Sequence, residues 1–157
     1  MAIEKVRSLF SELGIDHRIL EFSVSSATVE LAAQALGCDP QRIAKTLSFK
    51  TEDSCVLIVA AGDVKVDNSK FKGYFGFKAK MPSGDEVEAL CGHAIGGVCP
   101  FAVNEGVKVY LDKSLERFET VFPACGSSNS AVEMTVSELL EVSKAQEIID
   151  VCKPYNG

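Results

Sequence analysis

Lys45 follows the apolar pair Ile43-Ala44 and precedes Thr46-Leu47, which sets a cation at the start of a strand. A lysine at a strand mouth can hold a phosphate or meet negative charge as it develops. A side chain that merely snorkels to the surface leaves the same trace. The second candidate is the run Gly96-Gly97-Val98-Cys99-Pro100. Two glycines let the backbone approach a ligand closely or adopt positive φ, and Pro100 fixes the exit. N–H groups exposed there could bind an oxyanion or an ester oxygen, although a tight turn between helix and strand would use the same residues.

Histidine offers little more, because only His17 and His93 exist. His17 lies beside the first predicted strand and reads as structural. Cys91-x-His93, with Cys99 nearby, invites a metal check. Structural zinc takes four ligands, often including a close cysteine pair. No such pair occurs and Cys125 would have to close the site, so buried thiols near a turn are the simpler reading and no metal is expected. A Gly-x-Ser-x-Gly nucleophile elbow, a P-loop and a Gly-x-Gly-x-x-Gly fingerprint are all absent.

The elements that must position these residues come from a chain of 157 residues, enough for one domain spanning 1–157. Hydrophobic residues make up 46% and charged residues 24%, which excludes a disordered chain. The longest apolar run, Cys55 to Ala61, is far short of the roughly 20 residues of a membrane helix, so it reads as a buried strand. The N-terminus carries charges inside its apolar pattern and lacks the uninterrupted core of a secretory signal. The expected location is therefore cytoplasmic, with all six cysteines reduced. The net charge of -6 argues against a protein that coats nucleic acid without specificity. Yet Lys65, Lys70, Lys72, Lys78 and Lys80 share one window with a single acid, Asp67. They form either a solvated lysine-rich surface or a local phosphate-binding face.

Ile3, Val6, Leu9, Phe10 and Leu13 predict an amphipathic helix over 2–13, ended by Gly14. Residues 16–22 read as a short strand. Ser25 or Ser26 should cap a helix through Leu36, stopped by Gly37. Asp39-Pro40 opens a turn. Strands 45–50 and 55–61 flank the polar loop Thr51–Ser54, predicting a hairpin. Asp67 or Asn68 opens a helical turn, 75–80 reads as a strand, and 82–90 as a short helix ended by Gly92. Further strands are expected at 107–111 and 131–135, a turn at 114–118, and a last helix from Val136. The fold class is α+β, with a curved, mixed or mainly antiparallel sheet flanked by helices.

Together these pieces resemble the YbaK/prolyl-tRNA synthetase-associated domain family. Arg42-Ile-Ala-Lys45-Thr-Leu-Ser-Phe, followed by an apolar hairpin, is similar to that family's lysine-bearing strand. Gly96 to Pro100 matches its Gly-x-x-x-Pro loop. Ala60-Ala-Gly-Asp, the lysine stretch, the strand at 107–111 and the turn Cys125-Gly-Ser-Ser-Asn129 complete a likeness that runs from about residue 2 to 145.

The resemblance implies a trans-editing aminoacyl-tRNA deacylase. Its substrate would be a mischarged tRNA, tRNA(Pro) carrying alanine or cysteine or another tRNA carrying a small residue. A non-catalytic module binding aminoacyl, nucleotide or protein ligands on the same fold is the alternative. By the resemblance Lys45, Gly96 and Gly97 would be catalytic. Val98, Cys99, Pro100, Ser127, Ser128 and Asn129 would bind substrate, and the five lysines would meet tRNA. Cys99 stands where many relatives carry a hydroxyl, which bears on amino-acid specificity. His93 would either help size the pocket or cap the preceding helix. No cofactor, membrane or DNA is implied, and an aminoacyl-tRNA synthetase or an elongation factor could deliver the substrate.

Overall fold

The computed structural model describes residues 2–94 and 97–155. Its centre is the predicted hairpin. Strand β2 (Ile43–Lys50) pairs antiparallel with β3 (Cys55–Ala61), with Lys45 opposite Ala60. Every residue of β3 is at most 5% exposed, because the strand is covered on both faces. Burying Leu57, Ile58 and Val59 contributes about 1.5–3 kcal/mol each. Parallel neighbours extend the hairpin on both sides: β6 (Thr120–Pro123) joins β2, and β5 (Lys108–Asp112) joins β3. With β8 (Met134–Thr135) beside β6 and β9 (Ile148–Ile149) beside β5, this makes a six-stranded mixed sheet in the order β8-β6-β2-β3-β5-β9. Two ribbons stand apart from it: β1 (Leu20–Glu21) with β7 (Ser130–Ala131), and β4 (Val64–Val66) with β10 (Cys152–Pro154).

Helix α1 (Ala2–Glu12) inserts Val6 and Phe10, both fully buried, and Gly14 leaves it at φ 75°. Phe10 meets Phe101 edge to face at 5.0 Å, which ties the helix to the segment after Pro100. Helix α2 (Val29–Leu36) packs Ala32 and Ala33 against Ile43 and Phe122 in a small second core. Helix α3 (Asn68–Phe75) is capped by Asp67, and α4 (Gly84–Cys91) by a Ser83–Glu86 capping box. Helix α5 (Val136–Val142) closes the described set. No helix among the described residues is long and apolar enough to cross a membrane.

Four local expectations are corrected. Residues 16–22 form a 3-10 turn (Asp16–Arg18) and the two-residue β1 instead of one strand. The cap of α2 is Thr28, because Ser25 and Ser26 both turn their hydroxyls to the carbonyl of Ser128. Residues 75–80 are not a strand. Phe75 ends α3, and the alternation arises because Phe75 and Phe77 both pack on Phe71. Residues 131–135 divide between β7 and β8, which pair with different strands.

Candidate active site

A mostly apolar cavity of about 340 Å³ lies on β2. The start of α2 forms one wall, and Met81 to Gly84 with Val87 form a second. Val98 enters from the glycine loop, and Ala124, Ser130 and Ala131 close the far side. Lys45 and Thr46 both line it. The Thr46 hydroxyl oxygen is buried and has no hydrogen-bond partner among the described residues, so it is an unused polar group in the wall.

Lys45 is half-buried. Its ammonium donates to the carbonyl of Val64 and, at 3.0 Å, to the hydroxyl of Tyr155, whose ring centroid is 4.7 Å away. Nearby, Asp63 and Arg117 form a two-pronged ion pair at 2.6 and 3.0 Å. Hydrogen bonding from Arg117 holds the Asp63 carboxyl below the usual carboxylate range, and the charge of Lys45 adds to this. Asp63 is thus a fixed anion, engaged with arginine.

Gly96 lies outside the described residues. Gly97 is buried where two loops touch: a Cβ there would come within 3.0 Å of the backbone of Gly126 and Ser127. Any larger residue would force the neighbouring backbone to shift, so glycine suits the approach that brings the 97–100 loop against the 125–131 turn. Val98 reaches the cavity, whereas Cys99 and Pro100 are buried behind it.

The far side of this loop is a buried polar cluster in which only the His93 Nδ1 has no hydrogen-bond partner among the described residues. His93 is fully buried and donates from Nε2 to the carbonyl of Phe101 at 2.6 Å. The thiol of Cys99 points to the same carbonyl at 3.7 Å and lies 3.5 Å from the imidazole. Cys91 donates to the His93 carbonyl at 3.6 Å. Burial lowers the affinity of His93 for a proton and pushes the Cys99 thiol up to about 12. The ring is therefore neutral with its proton on Nε2, the thiol is protonated, and neither lines the cavity. Among the described residues, no three His, Cys, Asp or Glu side chains gather as metal ligands.

The 127–129 turn is engaged with its own neighbourhood. Ser127 donates to the Asn129 side-chain oxygen at 3.0 Å and meets the Ser130 hydroxyl at 2.6 Å. Asn129 donates to the Phe22 carbonyl at 2.9 Å, and the Ser128 carbonyl accepts from the backbone of Ser26 at 2.6 Å. This turn fastens the loop leading to α2, and it is Ser130 and Ala131 that line the cavity. Of the five lysines, all exposed, Lys70 is tied to Asp150 at 3.1 Å and to the Cys152 carbonyl at 3.0 Å. The site thus joins Lys45 and Val98 with Thr46, Ser130 and Tyr155, which the sequence did not single out. Only Thr46 carried a usable signal, as the polar neighbour of Lys45.

A family profile described as an aminoacyl-tRNA editing domain matches residues 24–142. YwhH, an uncharacterised protein of Bacillus subtilis strain 168, is 53% identical over 156 residues, 99% of each chain. ProXp-y of Escherichia coli K12, a multifunctional Ser/Thr-tRNA deacylase, is 24% identical over 148 residues, 91% of this chain and 89% of that one. A crystal structure provisionally described as a trans-editing enzyme for prolyl tRNA synthetase superposes with a TM-score of 0.86. It is 30% identical and is matched over 97% of both chains.

Proposed function

The chain belongs to the aminoacyl-tRNA editing domain family, and on that premise we propose that it is a trans-editing deacylase of mischarged tRNA. Its substrate is a tRNA esterified with a small non-cognate amino acid, with tRNA(Pro) carrying alanine or cysteine as the first pair to try. A small impostor escapes a synthetase pocket because one methylene is worth only about 1–3 kcal/mol, so a second site must remove it. The observation that carries the reading is the half-buried Lys45 on the rim of a 340 Å³ cavity that also receives Val98 of the glycine loop. That volume is near the lower end for ligand sites, which suits a small aminoacyl group.

In this reaction water or a ribose hydroxyl of the substrate attacks the ester carbonyl. The ester C–O bond breaks, the tRNA regains its terminal hydroxyl, and the amino acid leaves, directly or after one further hydrolysis. Lys45 offsets the negative charge that grows on the ester oxygen or stands on the adjoining phosphate. The backbone at Val98 faces the aminoacyl carbonyl, Gly97 supporting it with its own N–H bound to the Ala94 carbonyl at 3.0 Å, and the small residues Ala124 and Ala131 limit the side chain that fits. A covalent cysteine step is not needed: the Cys99 thiol is fully buried and stays protonated at neutral pH. The exposed lysines 65, 72, 78 and 80 meet the acceptor stem, delivered by a synthetase or elongation factor that holds the tRNA body.

The test is release of amino acid from tRNA(Pro) charged separately with alanine, cysteine, serine and proline, and from tRNAs carrying serine or threonine. Fast release of one non-cognate residue, with proline retained, is the expected result. Retention of every ester would turn the assignment to a binding module on the same fold.

A further inference from the structure

The two hydrogen bonds of the Lys45 ammonium come from a single rung of the β4–β10 ribbon. Val64, whose carbonyl accepts one of them, is opposite Pro154, and Tyr155, whose hydroxyl accepts the other, is the next residue. An ammonium carries three N–H donors, so this rung fixes two and leaves one for a ligand. The flexible four-carbon stem of a lysine otherwise wanders among rotamers, and holding it beforehand removes that ordering cost from the reaction. The aromatic face 4.7 Å from the nitrogen adds a cation–π attraction.

The ribbon is anchored from behind. Buried Asp112 accepts from the backbone N–H of Val151 at 3.0 Å, and the Val151 carbonyl accepts from Asp67 at 2.8 Å. Lys70 holds Asp150 and the Cys152 carbonyl. Tyr155 is thus delivered to Lys45 by a braced backbone while remaining 55% exposed itself. It also lies beyond the 24–142 stretch that the family profile covers.

We propose that Tyr155 is a positioning residue for Lys45 in deacylation: with the Val64 carbonyl it fixes the ammonium on the cavity rim and leaves its third N–H to the substrate. The proposal rests on the deacylase assignment, so its test has an arm that does not need turnover. Single-turnover deacylation is measured for the wild type, Tyr155→Phe and Tyr155→Leu on the substrate that responds. In parallel, spectra of 13C-lysine-labelled protein follow the ε-methylene of Lys45, assigned with Lys45→Arg.

Tyr155→Leu should lower the rate constant about ten-fold with little change in half-saturating enzyme, and Tyr155→Phe, which keeps the ring, about two-fold. The Lys45 resonance should be ring-shifted in the wild type and Tyr155→Phe and lose that shift in Tyr155→Leu. A Tyr155→Leu variant at the wild-type rate overturns the proposal, as does an unshifted Lys45 resonance in the wild type. If no substrate responds while the resonance is ring-shifted, the deacylase assignment fails and takes the catalytic role with it, while the contact itself stands.

Discussion

Lys45 and His93 stand on opposite sides of the same loop, and their surroundings differ in every respect that matters for chemistry. Lys45 is half-buried, borders a cavity and has one N–H left after two hydrogen bonds. His93 is fully buried, spends its only N–H on the Phe101 carbonyl, and is packed beside two protonated thiols. The residue types alone would favour histidine, the usual proton carrier at neutral pH. Access of the reactive atom reverses that order. The His93 side braces the loop from within, and the Lys45 side opens onto the cavity.

The sharpest way to break this contrast is to remove each residue in turn. Lys45→Ala should cut deacylation at least about 100-fold, as loss of a group aimed at developing charge does, while lowering stability by about 1 kcal/mol through its lost hydrogen bonds. His93→Ala should do the reverse. It leaves a cavity and a Phe101 carbonyl with only the weak Cys99 thiol contact, for a loss of about 2–4 kcal/mol read in urea unfolding, with the rate retained at temperatures where the variant is folded.

Acid sharpens the same comparison at a smaller scale. Burial lowers the proton affinity of His93 in the folded state, so below about pH 6.5 the unfolded chain binds the proton that the folded chain refuses. The stabilisation from a neutral His93 is complete above that pH and is lost as pH falls through 6.5 toward the depressed folded value. Urea midpoints measured from pH 8 to 5 should fall for the wild type, and this component should be missing in His93→Gln.

The smallest effect expected concerns the lysines. Lys72→Ser with Lys78→Ser should reduce the salt dependence of deacylation by about one unit of slope per lysine engaged with phosphate. Lys70→Ser, whose ammonium is already held by Asp150 and Cys152, should change the slope less. Equal slopes for the wild type and the double variant would remove Lys72 and Lys78 from the tRNA-binding face.

The parts of the molecule legible in the sequence are those whose signals are local. The apolar run 55–61 and its polar loop announced the hairpin, Gly14, Gly37 and Gly92 marked helix ends, and Asp39-Pro40 marked a turn. Strands of two to four residues such as β4, β6, β9 and β10 are too short to show a period, and their pairing spans distant segments. The site divides the same way. Lys45 and Val98, which both line the cavity, could be pointed to because a strand mouth and a glycine loop are local features. Tyr155 was invisible because its meaning comes only from the β4–β10 rung. Ser127, Ser128 and Asn129 suggested a pocket wall by composition, yet turn residues spend their polar groups on nearby backbone, and the wall falls to Ser130 and Ala131.

The most direct test of the central claim is single-turnover release of the non-cognate amino acid by Lys45→Ala and His93→Ala, with the thermal midpoint taken on the same preparations. The account predicts a folded Lys45→Ala that releases almost nothing and a less stable His93→Ala that releases at close to the wild-type rate. A Lys45→Ala protein that still deacylates at the wild-type rate, or a well-folded His93→Ala that does not, would contradict it.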